Sequence, residues 1–542
     1  MGVPGFYVWL KYKYHDKFIK SKIDNIDYLL FDLNCLIHPV CNNIIAKNLH
    51  IDNINILEEL MIDSVIKYIE VLIDKVDPKR AVLLAVDGSV PMAKVKQQRQ
   101  RRFKSQADNK FYNELKDKHG IPKSKIQWNS NAITPGTKFM YKLHIELDKW
   151  LKTYDRKIYY SSYLSPGEGE HKILNFIKKK ENNYTYVTYG LDADLIFLML
   201  SRVNNKNNIN PRIYLLREDK LNTDSESRLL YTDINEMKKL ILDSLKANND
   251  PVSDFIFICY FLGNDFLPKI PSLNIYNGAI DMIVNIYNSK VDPGIISIDN
   301  NDNFNITFRL EEFIHDLAMN EDTMIKANII NKNKSYNYLK RINDEYEKEL
   351  FIHENILFDV NDPIKLYTAN YKKRYYHHYW NLDNDDIEDF IKTLVKEYIY
   401  GLRWIAYYYF DTCCSWSWFY PHDYAPFISD IYKYMNIYDI NEVKFDLFKP
   451  IEPLLQLLIV LPYNSFYLLP NCFHDRLTNP DDNEMSILHL YPTEFKQDLL
   501  NKRQFWMGIP IIPQLDFDKI RRYYNVVKKS LSDKDIQRNG RK

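Results

Sequence analysis

An α/β fold, built on a central and mostly parallel sheet with flanking helices, is predicted by three features of the chain. Continuous apolar runs at Ile26–Leu33, Ala81–Val86, Lys157–Ser162 and Tyr184–Tyr189 read as strands buried on both faces. Helix-like patterns follow these strands, the alternation that produces parallel sheets. Carboxylates collect just past the strand ends, where open α/β sheets place their ligands.

In chain order, residues 1–20 read as an amphipathic N-terminal helix whose Trp9, Leu10 and Phe18 pack on the main body. The first strand ends at Asp32, followed by Asn34 and His38. Residues 53–76 carry helical apolar spacing through Ile54, Leu57, Leu60, Val65 and Ile69. The second strand ends at Asp87-Gly88 and leads into AKVKQQRQRRFKSQ, which holds six cations and no acid between Lys94 and Lys104. Lys94, Gln98, Arg101 and Arg102 recur at a spacing that one helical face can present together. Such a face is either a solvated basic surface or, after a strand-end Asp, a phosphate site suited to arginine forks. Pro135-Gly136 is a turn into a helix running to about Trp150. Pro211–Arg217 is a further strand, and residues 253–270 form an apolar helix broken at Gly263-Asn264-Asp265.

The chemistry centres on Ser161–Leu200. Glu168 with Glu170, and Asp192 with Asp194, form two close pairs, each after a strand and before a helix. Carboxylates crowded into one cleft repel and resist ionisation when buried, and a hard divalent cation such as Mg²⁺ removes that penalty. The alternative is ordinary helix N-terminal acids favoured by the dipole. Asp32 is a candidate first ligand or a cap, Asp265 a candidate ligand or a helix C-cap, and His38 alone is as readily a satisfied turn residue.

Lys+Arg and Asp+Glu are both 72, so net charge is zero and only local clusters can attract nucleic acid. Six cysteines with no Cys-x-x-Cys spacing argue against zinc and read as the reduced thiols of an intracellular protein. The N-terminus lacks a signal-peptide pattern, and no apolar run is long enough to span a bilayer. Glycine numbers only 14, against about 38 at the usual frequency of ~7%, so each one marks a place that needs it. The abundant Asn, Ile, Tyr and Lys point to an AT-rich coding genome. From about residue 366 the chain turns aromatic: YKKRYYHHYW, GLRWIAYYYF and CSWSWFYPHDYAP. Most of those rings are core, but Trp416 and Trp418 alternate faces, which leaves one to stack on a base.

Taken together, MGVPGFYVWL, FDLNCLIH, AVDGSVPMAKVKQQRQRRFK, NAITPGTKFM, SPGEGEHKI, YGLDADLIFL, DFIFICYFLGNDFLPKIPSL and SWSWFYPHDYAP resemble the Xrn-type 5′→3′ exoribonuclease family, in that family's order. The resemblance implies a PIN/flap-nuclease-like α/β region at 1–288. It further implies a second core region at 366–515, which is helical and aromatic-rich; composition reads 289–365, rich in Asn, Asp and Lys, as a helical linker or insertion, and 516–542 as a tail whose basic, polar end is disordered. The resemblance places metal-binding acids on Asp32, Asp87, Glu168, Glu170, Asp192, Asp194 and Asp265. The 5′-monophosphate pocket falls on Lys94, Gln98, Arg101 and Arg102, and base stacking on His38 and the SWSW segment, with Trp416 preferred over Trp418. Cys35, Met92, Lys269 and Asp423 depart from residues common in the family. The chain stops after the second core region, resembling a minimal catalytic core or the nuclear-type arrangement of the family.

The implied activity is processive hydrolysis of single-stranded, 5′-monophosphorylated RNA to nucleoside 5′-monophosphates. Two Mg²⁺ ions, replaceable by Mn²⁺, serve an in-line attack. A monomer in the cytoplasm rather than the nucleus, acting after a decapping enzyme and with no membrane contact, is the expected setting. The competing readings are a flap-type DNA endonuclease, for which no helix-hairpin-helix is found, and a catalytically silent RNA-binding scaffold, which has no reason to keep seven repelling acids.

Overall fold

The computed structural model describes residues 3, 5–123, 125–126, 128–180, 183–190, 193–203, 210–219, 228–245, 251–289, 294–298, 304–330, 332–382, 386–477 and 486–540. Among them a seven-stranded sheet organises the first half. Its strands are β1 (Ile19–Lys20), β2 (Tyr28–Asp32), β3 (Ala81–Ala85), β4 (Ile158–Ser161), β5 (Thr185–Tyr189), β6 (Arg212–Asp219) and β7 (Arg228–Asp233), in the order β1-β7-β6-β5-β2-β3-β4. The five strands from β6 to β4 run parallel, while β7 and β1 pair antiparallel at one edge. The sequence anticipates the parallel strands within a residue or two. It misses β1 and β7, which are too short or too charged to stand out.

β2 alternates its side chains between two cores: Tyr28 and Leu30 face one, Leu29 and Phe31 the other. Burial on both faces is why these strands read as unbroken apolar runs. The flanking helices are α1 (Phe6–Tyr14), α2 (Leu33–Lys47), α3 (Ile54–Val76), α4 (Met92–Lys118), α5 (Lys138–Leu151), α6 (Gly169–Lys180), α7 (Ala193–Leu200), α8 (Ile234–Ser244) and α9 (Val252–Cys259). β2 lies between β3 and β5, so the chain leaves it in one direction and later returns on its other side. That reversal opens a crevice at the C-terminal ends of β2 and β5, and Asp32 closes β2 there.

Residues 296–298 and 304–306 form a small hairpin within the segment expected to be a helical insertion. Beyond it, α10 (Ile387–Phe410) runs back to the sheet crevice, and α11 (Pro453–Val460) packs on α4 through a third core containing Val90, Val95, Leu454 and Leu458. Gly401 permits the close approach of α10, since a Cβ there would lie 2.6 Å from Leu267 Cδ2.

The C-terminal end departs from expectation. In place of disorder, α12 (Phe517–Val527) and α13 (Asp533–Arg538) are folded. Arg538 is buried and donates to the Gly136 carbonyl at 2.9 Å, while Asn539 Oδ1 accepts from Leu454 N. A basic, polar composition hides this docking because the partners lie 85 and 402 residues upstream.

The β3 and β4 ends are zipped together: Gly88 N donates to Gly167 O, and Gly167 N to Ser89 O. A Cβ at Gly88 would fall 1.9 Å from the Ser165 carbonyl oxygen. Gly88→Ala is therefore expected to cost about 1–3 kcal/mol of stability through overpacking, read as an earlier urea midpoint. An unchanged midpoint would show that this junction has slack.

Candidate metal centre and anion pocket

Five chain segments deliver carboxylates to the crevice. Asp32 comes from the end of β2, Asp87 from just past β3, Glu168 and Glu170 from the β4–α6 junction, Asp194 from the start of α7, and Asp265 from the Gly263 turn after α9. Asp192 lies outside the described residues. Glycine sets the spacing: a Cβ at Gly169 would stand 2.8 Å from Asp32 Oδ1 and 3.4 Å from Asp87 Oδ1. Gly169 N also donates to Asp87 Oδ1 at 2.7 Å, and Asp87 N donates to the Asn34 side chain at 3.1 Å, tying the β2 and β3 ends together. Lys172 Nζ bonds the carbonyls of Val86 (2.6 Å) and Ser162 (2.9 Å), fixing β3 against β4.

The crowding has the electrostatic signature of a cation site. Burial, then Glu168, pushes the Glu170 carboxyl well above its ordinary range, with Asp194 and Asp32 adding to it. Burial and Glu168 also raise Asp87, and burial raises Asp194. Within this cluster the chain supplies one of its own cations. Lys94 Nζ lies 2.5 Å from Glu168 Oε2 and 2.7 Å from Asp265 Oδ2. Burial opposes its charge, but Asp265 and Glu168 outweigh that and hold its pKa well above the ordinary value. Asp265 is buried too, yet Lys94 holds it below the usual carboxylate range. All-oxygen donors with excess negative charge fit a hard divalent ion. Glu168, Glu170 and His171 also place ligand atoms within 4.8 Å of one another. His171 was missed by sequence reasoning, although it sits inside SPGEGEHKI. Its ring lies 3.8 Å from that of Tyr408, and burial pushes its pKa down to about 4.

The basic run proves to be divided in role. It lies on α4, as predicted, but its first turn faces the acids, so Lys94 pairs with carboxylates where the sequence grouped it with phosphate ligands. Lys96 binds the Tyr420 and His422 carbonyls and Asp423. Asp423 thereby serves as a partner for Lys96 and also accepts from Gln100 at 2.6 Å. Arg99 is buried and donates to the carbonyls of Ile459 and Leu490, and Lys104 pairs with Asp108. Gln98 accepts from Gln456 of α11 at 3.2 Å. That leaves Arg101, which is exposed, and Arg102, which is buried with Nη1 lacking any hydrogen-bond partner among the described residues. Burial and the adjacent Arg101 push Arg102 down to about 9, while Asp87 pulls the other way. A buried guanidinium with an open Nη1 donor among the described residues, next to a second arginine, has the donors to receive an anion.

Two aromatic side chains missed by sequence reasoning reach the acids from α10. Tyr408 donates to Glu168 Oε1 at 2.6 Å, and Tyr409 to Asp194 Oδ1 at 2.9 Å. In the sequence they are two tyrosines of an apolar run and nothing sets them apart from core. Trp418 is half-buried, stacks on Trp404 at 5.3 Å and packs against the first core. Trp416 is half-buried and lies outside the three hydrophobic cores. Its backbone is pinned, with Met92 N donating to its carbonyl and its N–H donating to Leu447 O. His38 is half-buried in the second turn of α2.

The comparisons agree with this arrangement. Residues 1–219 match the family profile described as XRN 5'-3' exonuclease N-terminus, and residues 247–359 and 357–542 match that described as Xrn1 helical domain. Homo sapiens 5'-3' exoribonuclease 1 is 28% identical, the match covering 99% of this chain and 35% of that protein. Candida albicans 5'-3' exoribonuclease 2 is 26% identical, covering 97% and 73%, and the Arabidopsis thaliana 5'-3' exoribonuclease 2 is 27% identical, covering 99% and 68%. The chain thus spans about a third of the human relative and about 70% of the other two. With family profiles matching both halves, one over the sheet that carries most of the acids and the other over the helices that complete the crevice, the chain belongs to the Xrn-type 5′→3′ exoribonuclease family.

Proposed function

We propose that this chain is a divalent-metal-dependent, processive 5′→3′ exoribonuclease that selects 5′-monophosphorylated single-stranded RNA and releases nucleoside 5′-monophosphates. The reading rests most on one observation: α4 carries Lys94 into the carboxylate cluster and, two turns later, the buried Arg102, whose Nη1 has no hydrogen-bond partner among the described residues. A helix that touches both places sets a fixed distance between a terminal phosphate and the bond to be cut. The parallel sheet with its acids at the strand ends also fits a PIN/flap-nuclease-like arrangement.

Asp32, Asp87, Glu168, Glu170, Asp194 and Asp265 would hold the metal, with Mg²⁺ the expected ion. Bound ions in such a site lower the pKa of water and offset charge on the transferring phosphoryl group. The chain's own residues do the rest. Arg101 and Arg102 grip the 5′-phosphate through charge-assisted hydrogen bonds. Gln98, held by Gln456, lines the same face. Lys94, bound to Glu168 and Asp265, neutralises part of the cluster's charge beside the scissile bond. Trp416 and His38 stack the leading bases, a sequence-tolerant contact.

Digestion of one RNA bearing a 5′-monophosphate, 5′-triphosphate or 5′-hydroxyl, with Mg²⁺ or with EDTA, tests the proposal. Mononucleotide release from the monophosphate alone, and only with metal, is the expected pattern. Internal fragments from all three would favour an endonuclease instead. Trp416→Ala is expected to shorten the run per binding event more than it slows cleavage of a dinucleotide, since each stacked base contributes about 1–3 kcal/mol. Equal run lengths for the parent and Trp416→Ala proteins on a long RNA would remove Trp416 from the stacking role.

A further inference from the structure

The metal-holding acids of the proposed function come from the first half of the chain, yet two of them are held by the second half. Tyr408 and Tyr409 are consecutive on α10, so their side chains diverge by about 100°. One reaches Glu168, past the end of β4, and the other Asp194, past the end of β5. Both tyrosines are buried. Burial, then the facing carboxylate, raises both hydroxyls well above their ordinary pKa, so they remain neutral donors.

The Tyr408 ring cannot drift. It stacks on Trp404 at 4.8 Å, meets Phe266 edge-on at 5.1 Å and lies 3.8 Å from His171. Trp404 in turn stacks on Trp418. Gly401 lets the same helix close on Leu267, two residues past Asp265. Tyr398, one helix stretch earlier, provides a contrast: it is also buried, but its hydroxyl donates to the Pro268 carbonyl at 3.2 Å and to no acid among the described residues.

Given the metal-holding role proposed for the acids, we infer that Tyr408 and Tyr409 are positioning residues, which orient Glu168 and Asp194 as ligands and thereby set divalent-metal affinity from the second half of the chain. Each hydroxyl engages one carboxylate oxygen, and the second oxygen of Glu168 faces Lys94. Outer partners of this kind typically govern metal affinity by 10–100-fold.

The test is direct Mn²⁺ binding to the full chain, followed by the electron paramagnetic resonance signal of free Mn²⁺, in Tyr408→Phe, Tyr409→Phe, Tyr398→Phe and Glu168→Gln. The phenylalanine variants at 408 and 409 are expected to bind Mn²⁺ at least tenfold more weakly and to regain hydrolysis at high Mn²⁺. Tyr398→Phe is expected to stay within twofold of the parent, even where its melting temperature falls as far. If Tyr408→Phe and Tyr409→Phe both stay within twofold while Glu168→Gln loses binding, the tyrosines are core residues and the inference is overturned. Equal weakening in Tyr398→Phe also overturns it, since any loosening of the helix would then suffice. If Glu168→Gln binds Mn²⁺ normally, the metal reading of the acids falls, and the positioning role with it. Should one tyrosine variant not fold, the other decides.

Discussion

Glu168→Gln is expected to abolish hydrolysis, with turnover falling by at least ~10³-fold, equivalent to about 4 kcal/mol of transition-state stabilisation. The substitution preserves shape, and the amide oxygen can still accept from Tyr408. What it removes is charge: Glu168 faces Lys94 at 2.5 Å and raises the pKa of both Glu170 and Asp87. Losing one carboxylate relieves that repulsion, so the metal-free variant should melt no earlier than the parent. The parent should gain stability on adding Mg²⁺, because a ligand that binds only the folded state stabilises it, and the variant should lose most of that gain. Near-normal turnover, or an undiminished Mg²⁺-induced rise in melting temperature, would take Glu168 out of the metal site.

Arg102→Ala carries the second large effect, on choice of RNA end. Hydrogen bonds to charged groups contribute about 1.5–3 kcal/mol, so use of 5′-monophosphate RNA should weaken by roughly 10- to 150-fold. RNA with a 5′-hydroxyl offers no such phosphate and should be cut almost as before, so the preference between ends collapses towards one. Stability should move the other way. Arg102 is a buried cation whose Nη1 has no partner among the described residues, and a buried donor left without a partner is costly. A variant that is more stable but less selective is the behaviour of a residue kept for binding. Equal slowing on both RNA ends would make this a general RNA-binding face, with the 5′-phosphate gauge elsewhere. Arg101→Ala should act in the same direction but more weakly, because Arg101 is exposed and its interactions are screened by solvent.

The sequence is most legible where a local pattern determines the outcome. The β2, β3 and β5 strands are buried on both faces, so their apolar runs are continuous and their boundaries plain. Except for Asp265, the described acids follow strand ends, and the topology of a parallel sheet brings those ends to one edge. Legibility fails where a residue's role depends on a distant partner. Six cations on one helix look alike in sequence, yet α11, the 420–423 segment and Asp108 capture three of them and the acids capture a fourth. Tyr408 and Tyr409 resemble Tyr398 in composition and differ only in what lies opposite. Arg538 sits in a polar, basic stretch, and its burial depends on the Gly136 carbonyl. The two antiparallel strands at one side of the sheet escape notice because each is held by its neighbour, β7 by β6 and β1 by β7, rather than by its own pattern.

The hydroxyls on α10 also give the crevice an order of assembly in time. Asp32, Asp87, Glu168, Glu170, Asp194 and Asp265 all precede Tyr408 and Tyr409 in the chain. Synthesis proceeds at about 5–20 residues per second, so a growing polypeptide carries these acids for on the order of ten seconds before the helix that steadies Glu168 and Asp194 has been made. Throughout that interval the nascent chain stands beside the messenger that encodes it, holding the acids but not the hydroxyls that orient two of them.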